Sequence, residues 1–191
     1  MRVVGGQWRG RALEAPEGRD VTRPTTDRTR EAIASMVLSA RGLDLGSTSV
    51  LDPFAGSGAC GIELLSRGAA HATFCDIDRG AAARVRRNLQ SLGAAPATFD
   101  VLRTDVLRDP ARRLPGAPFG VVFLDPPYKM PASDVSGLVL ALMAAGQLED
   151  RATVIYERAS DAPELEGAGL TLVRTKRYGS TSVDLMTMEA Q

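Results

Sequence analysis

Asp125, Pro126, Pro127 and Tyr128 follow directly on the apolar run Phe119-Gly120-Val121-Val122-Phe123-Leu124. The run reads as a buried parallel strand. Neither proline has an N–H to give a ladder, so the strand must stop at Asp125. A carboxylate then stands at the carboxyl end of a central strand, the edge where open α/β sheets bind ligands. The Pro126 carbonyl has no partner imposed by regular structure and can face a ligand. With Asp125 it makes two fixed acceptors, which suit an amino group carrying two hydrogens. Tyr128 adds a flat face on which a base can stack. The same four residues also suit a tight loop in which Tyr128 fills a gap.

A second stretch weighs the choice. Ser49-Val50-Leu51-Asp52 is a short strand ending in an acid, and Pro53-Phe54-Ala55-Gly56-Ser57-Gly58-Ala59-Cys60-Gly61 follows it. This is a strand, a Gly-rich turn and a helix through Ile62, Leu64 and Leu65 to Gly68. No Lys-Ser or Lys-Thr follows, so it is not a phosphate loop. Asp52 ahead of the first glycine would repel a pyrophosphate, but it suits a ligand carrying an ammonium or sulfonium. The next strand runs from Ala72 and ends at Asp76, where nucleotide folds place a ribose-binding acid. Asp78 reads as the cap of a helix from Arg79 to Leu92. Asp105, closing the strand Phe99–Arg103, could accept from an adenine amine or cap a short helix after it.

These residues need a scaffold. Strands and helices alternate from Val50 to Ile155, which predicts a parallel, doubly wound α/β sheet. Thr25 or Thr26 caps a helix running to about Ala40, and Pro131 and Ser133 open another to about Gly146. Ala152–Glu157 is a fifth strand. Leu170–Arg174 and Ser182–Met188 have no long helix between them, so they form an antiparallel edge hairpin. Its connection, Lys176 to Thr181, carries Lys176, Arg177 and Tyr178 and is a candidate nucleic-acid contact. At the other end, Arg2 to Leu13 reads as a small β-hairpin around Gly5-Gly6. It interleaves Arg2, Arg9 and Arg11 with Trp8, either as an RNA-contacting arm or as a ribbon packing Trp8 on the main domain. Arg23, Arg28 and Arg30 extend the basic character toward a helix N-terminus where phosphate or carboxylate groups bind readily.

The chain has 191 residues, 44% hydrophobic and 24% charged, so one globular domain with a short appendage is expected. No apolar run approaches 18 residues, which predicts neither a membrane span nor a secretory leader. Cys60 and Cys75 are too few to staple a fold and point to a reducing, cytoplasmic setting. His71 is the single histidine, so no metal site and no Ser-His-Asp triad is expected. Net charge is zero, so any nucleic-acid affinity must come from local basic faces.

Asp-Pro-Phe-Ala-Gly-Ser-Gly followed by Asp-Pro-Pro-Tyr resembles class I S-adenosylmethionine-dependent methyltransferases that act on exocyclic amines. The opening Arg-Val-Val-Gly-Gly with Arg-Gly-Arg, then Arg-Pro-Thr-Thr-Asp-Arg-Thr-Arg-Glu, and the late Arg-Tyr-Gly-Ser-Thr are similar to the RsmD family across essentially the whole chain. That resemblance implies a Rossmann-like sheet of seven strands, with residues 1–22 as an RNA-contacting extension and 23–191 as the methyltransferase domain. It implies methyl transfer from S-adenosylmethionine to N2 of one guanine in 16S rRNA, on free RNA or a small-subunit assembly intermediate, by a cytoplasmic monomer. Asp125, Pro126, Pro127 and Tyr128 would be catalytic. Thr25, Asp52, Phe54, Ala55, Gly56, Gly58, Asp76, Ile77 and Asp105 would bind the cofactor. Arg2, Trp8, Arg9, Arg11, Arg23, Arg28, Arg30, Lys176, Arg177 and Tyr178 would meet RNA. Asp-Pro-Pro-Tyr is shared with adenine-N6 methyltransferases, which leaves that activity as one alternative and a non-catalytic RNA-binding domain as another.

Overall fold

The computed structural model describes residues 1–16, 26–167 and 169–189. Its strands are β1 (Ser49–Asp52), β2 (His71–Asp76), β3 (Phe99–Arg103), β4 (Phe119–Leu124), β5 (Leu148–Ala159), β6 (Leu170–Tyr178) and β7 (Thr181–Met188). They form a seven-stranded sheet in the order β3-β2-β1-β4-β5-β7-β6. The first five run parallel, while β7 is antiparallel to both β5 and β6. The order reverses between β1 and β4, and there the two signature motifs lie side by side, with Leu51 registered on Val122.

Among the described residues four α-helices cover the sheet: α1 (Asp27–Ala40), α2 (Ala59–Ser66), α3 (Arg79–Leu92) and α4 (Ala132–Ala144). Val50, Val121 and Phe123 point to the core shared with α1, α2 and α3, and Leu51, Val122 and Leu124 to the core shared with α4. A strand buried on both faces is why β4 is an unbroken apolar run. Each Leu or Phe sealed in this way contributes about 1.5–3 kcal/mol of transfer free energy. The capping expectations hold. The Thr26 hydroxyl accepts from the Thr29 N–H, and Asp78 accepts from the Ala81 N–H.

The chain ends differ from expectation in detail. Arg2 pairs with Ala12 in an antiparallel bridge, but a 3-10 turn over Gly6–Trp8 replaces the Gly-Gly hairpin turn. The ribbon owes its place to α2: the buried Glu63 carboxylate accepts from the Val4 and Gly5 N–H groups at 2.8 Å each. Ser66 accepts from the Trp8 N–H at 3.0 Å. No helix follows Asp105; its carboxylate accepts from the Leu107 N–H in a turn. Lys176, Arg177 and Tyr178 belong to β6 itself, and the turn is Gly179-Ser180. Because β6 runs parallel to β5, this basic strand end sits at the same sheet edge as the carboxyl ends of β1 to β5. Among the described residues no helix is long and apolar enough to cross a membrane.

Candidate active site

A cavity of about 490 Å³ opens at the carboxyl edge of the sheet, over the switch between β1 and β4. That is the size of a site for a nucleotide-like ligand. Its walls come from the turn after β1, the end of β2, the segment after β3, the turn after β4 and the end of β5, together with Met1 and Pro16 near the N-terminus and Arg30 of α1.

Asp52 is buried in the wall, at 2% exposure. One carboxylate oxygen accepts from the Gly61 N–H at 3.3 Å, and the other, Oδ1, is buried without a hydrogen-bond partner. Burial pushes the Asp52 carboxyl up to about 7; the Gly61 N–H opposes this and the Asp76 charge adds to it. An acid so placed costs free energy until a cation or donor meets it. Gly56 (φ +54°) and Gly58 (φ +77°) turn the chain around this point in conformations that L side chains rarely adopt. Asp76, at the rim, accepts from the Gly56 N–H at 2.9 Å and from the Asp78 N–H at 2.8 Å, tying the Gly-rich turn to β2. Phe54, Ala55, Ile77 and Asp105 line the same cavity. Ile77 is 67% exposed, an apolar face offered to a flat ring.

Asp125 follows β4 as the prolines require. Burial is the main reason its carboxyl lies well above the usual carboxylate range, followed by the charges of Glu157 and Asp52. Among the described residues the Pro126 carbonyl accepts no loop or turn hydrogen bond, whereas the Pro127 carbonyl accepts from the Met130 N–H at 2.8 Å. Of the two prolines, Pro126 is thus the one that keeps a carbonyl for a ligand. Tyr128 stands at the mouth, 49% exposed, with its ring available for stacking.

Two charged residues of the wall were not expected there. Glu157 reads in the sequence as the last residue of an apolar strand, yet it lines the cavity beside Asp125 at 4% exposure. The break of an apolar run by a lone acid was the available signal. Arg30, expected among RNA-contacting arginines, is instead 2% exposed and lines the cavity. Its guanidinium donates to the Arg2 carbonyl at 2.9 Å and to Asp27 at 2.5 Å. A side chain so enclosed has no outer surface for an RNA backbone. Cys60 also reaches the cavity, where burial and the charges of Asp52, Glu157 and Asp125 raise its thiol far above its ordinary value and disfavour the thiolate.

None of the other expected RNA contacts among the described residues lines the cavity, and Trp8 and Arg11 reach the ends of α2 and α3 remote from it, at Ser66 and Ser91. Arg9, Arg11, Arg28 and Arg177 are exposed, while Trp8 and Tyr178 are half-buried against the core beneath. Arg2 is exposed but paired with Asp27, and Arg11 donates to the Ser91 carbonyl. Lys176 is partly covered. Thr25 and Arg23 lie outside the described residues.

The switch-point cavity, the Gly-rich turn after β1 and the acids at successive strand ends define a class I methyltransferase fold. A family model described as "Conserved hypothetical protein 95" matches residues 1–187. The chain belongs to this family, the RsmD family. The Escherichia coli (strain K12) protein named Ribosomal RNA small subunit methyltransferase D is 34% identical over 192 residues, which cover 100% of this chain and 91% of that protein. The Haemophilus influenzae protein of the same name is 31% identical over 188 residues, covering 97% and 92%. The solved structure of Escherichia coli yhhF superposes with a TM-score of 0.82 at 34% identity, covering 100% of this chain and 99% of that one.

Proposed function

We propose that this chain transfers a methyl group from S-adenosylmethionine to the exocyclic N2 amine of a guanine in 16S rRNA, in the bacterial cytoplasm. Relatives named as small-subunit rRNA methyltransferases support the substrate class. The observation that carries the chemistry is the pairing of the free Pro126 carbonyl with the Asp125 carboxyl at the end of β4.

The cavity suits the cofactor. The unpartnered Asp52 oxygen is an acceptor for its ammonium, the Gly56-Ser57-Gly58 turn allows close approach of its methionine end, Asp76 is an acceptor for ribose hydroxyls, and Ile77 with Asp105 flanks the adenine. Bound S-adenosylmethionine supplies a methyl group on a sulfonium sulfur, which keeps the electron pair of the broken sulfur–carbon bond. The target base leaves its stack to enter such a pocket. Asp125 and the Pro126 carbonyl accept the two amine hydrogens, which turns the nitrogen lone pair toward the incoming carbon, and Tyr128 stacks on the ring. Orientation supplies most of the acceleration. The nitrogen becomes positive as its new bond forms and must shed a proton; Asp125, with its raised proton affinity, is placed to take it. In this reading the N-terminal ribbon and the end of β6 are the parts that contact the RNA.

The test is transfer of labelled methyl from S-adenosylmethionine to small ribosomal subunits from cells lacking this protein, followed by nucleoside separation. Label in N2-methylguanosine is the expected result. Label in N6-methyladenosine would keep the site and overturn the guanine assignment. Bound cofactor with no transfer would favour an RNA-binding role.

A further inference from the structure

Glu157 lines the pocket but has no part in the transfer just described, on which the inference here rests. β4 and β5 pair Leu124 with Tyr156 in parallel, so Asp125 and Glu157 each stand one residue beyond on neighbouring strands. Such positions lie about 4.8 Å apart across a sheet and face the same way. Both side chains line the one cavity, and the Glu157 charge acts directly on Asp125. Arg30 brings a positive charge into the same wall, which lets two neighbouring acids persist inside a fold.

Two carboxyl groups side by side, with the Pro126 carbonyl next to them, make a row of acceptors. Guanine presents two donors side by side, N1–H and the N2 amine. The amine of adenine is flanked by N1, and that of cytosine by N3, and each of these is an acceptor that a carboxylate repels. We propose that Glu157 accepts the N1–H of the target guanine while Asp125 and the Pro126 carbonyl hold its N2 amine. Glu157 is then the residue that makes this amine-methylating pocket read guanine. A carboxylate has about four acceptor sites, so Glu157 can keep its contacts inside the protein and still take one more donor.

The probe is small-subunit RNA carrying 2-aminopurine at the target position mapped by the transfer assay. 2-Aminopurine keeps the amine at C2 but has an acceptor at N1. Wild-type protein is expected to favour guanine over 2-aminopurine by roughly a hundredfold or more in kcat/KM, because a buried acceptor is left unpaired by the analogue. Glu157→Gln can donate to that N1, so the preference should shrink at least tenfold while the Kd for S-adenosylmethionine stays within about threefold. An unchanged preference in Glu157→Gln with cofactor binding intact, or no preference in the wild type, overturns the assignment. If Glu157→Gln fails to fold or to bind cofactor, Glu157→Asp replaces it; it keeps the charge, shortens the reach, and must show the same loss of preference. Failure of the wild type to methylate guanine at all would sink the transfer reading itself, a result seen before any variant is compared.

Discussion

Asp52 is held inside the protein by a single backbone N–H at 3.3 Å, with its second oxygen unpartnered. Its folded value of about 7 lies above the 3.8 of an ordinary Asp. Between those values the folded state binds more protons than the unfolded one, so stability falls as pH rises across that window. Asp52→Asn should therefore raise the stability of the cofactor-free protein by about 1–4 kcal/mol at pH 8 and by little at pH 4, as read by urea unfolding at the two pH values. The same change should abolish cofactor binding, the usual exchange of function for stability. Asp125 acts in the opposite sense on activity. It must be ionised to accept from the amine, and its carboxyl lies above the ordinary range. The acid limb of kcat/KM should then fall well above pH 4, with activity lost as pH drops through it. Asp125→Ala should lower kcat/KM by about a thousandfold and leave the cofactor Kd nearly unchanged in calorimetry. Full activity would remove the role assigned to Asp125. Neither acid's protonation was legible in the sequence, because that of Asp52 depends on burial and on Asp76, and that of Asp125 on burial and on Glu157, 32 residues away in the chain.

At the scale of elements, the strand-turn-helix unit around Gly56, Gly58 and Gly61 was readable in order and nearly in extent. Its tightness was not. A Cβ at Gly61 would lie 2.4 Å from the Phe74 ring, so α2 presses directly on β2 and brings the Gly61 N–H to Asp52. The N-terminal ribbon is docked on the far end of the same helix. Gly6 has φ +73°, and a Cβ there would lie 1.9 Å from the Ser66 carbonyl oxygen. Gly6→Ala should cost about 2–3 kcal/mol of stability, measured as a lowered urea midpoint. Because Met1 lines the cavity, the undocked ribbon should also weaken cofactor binding. An unchanged midpoint would mean that the ribbon contributes nothing to the domain.

For the molecule as a whole, zero net charge and the proposed RNA binding must be reconciled. Many arginines are consumed internally: Arg67 by Glu63 and Glu31, Arg87 by Glu14, Arg158 by Asp184, Arg41 by Glu149. Among the described residues Arg9, Lys176 and Arg177 form no ion pair, so they remain for phosphate contact. Replacing all three with Ala should weaken RNA binding and reduce the slope of log K against log salt by about 2, at roughly 0.7 per single-strand phosphate. Filter binding across a salt series measures this. Transfer at saturating RNA should change far less, since none of the three lines the cavity.

Local chemistry was enough to predict where strands stop, which helices are capped and which turn carries the glycines. Pro126 and Pro127 end β4 wherever the strand lies, and Thr26 and Asp78 cap their helices by contacts three residues long. The motifs also carried the family resemblance, since both are contiguous. The cavity itself is assembled from segments far apart in the chain. Arg30 comes in from α1, and Glu157 from a strand that reads as plain core. Their burial, and the proton affinities that follow from it, depend on which side chains the parallel pairing of β1, β4 and β5 brings together in one low-dielectric space. No local pattern encodes that.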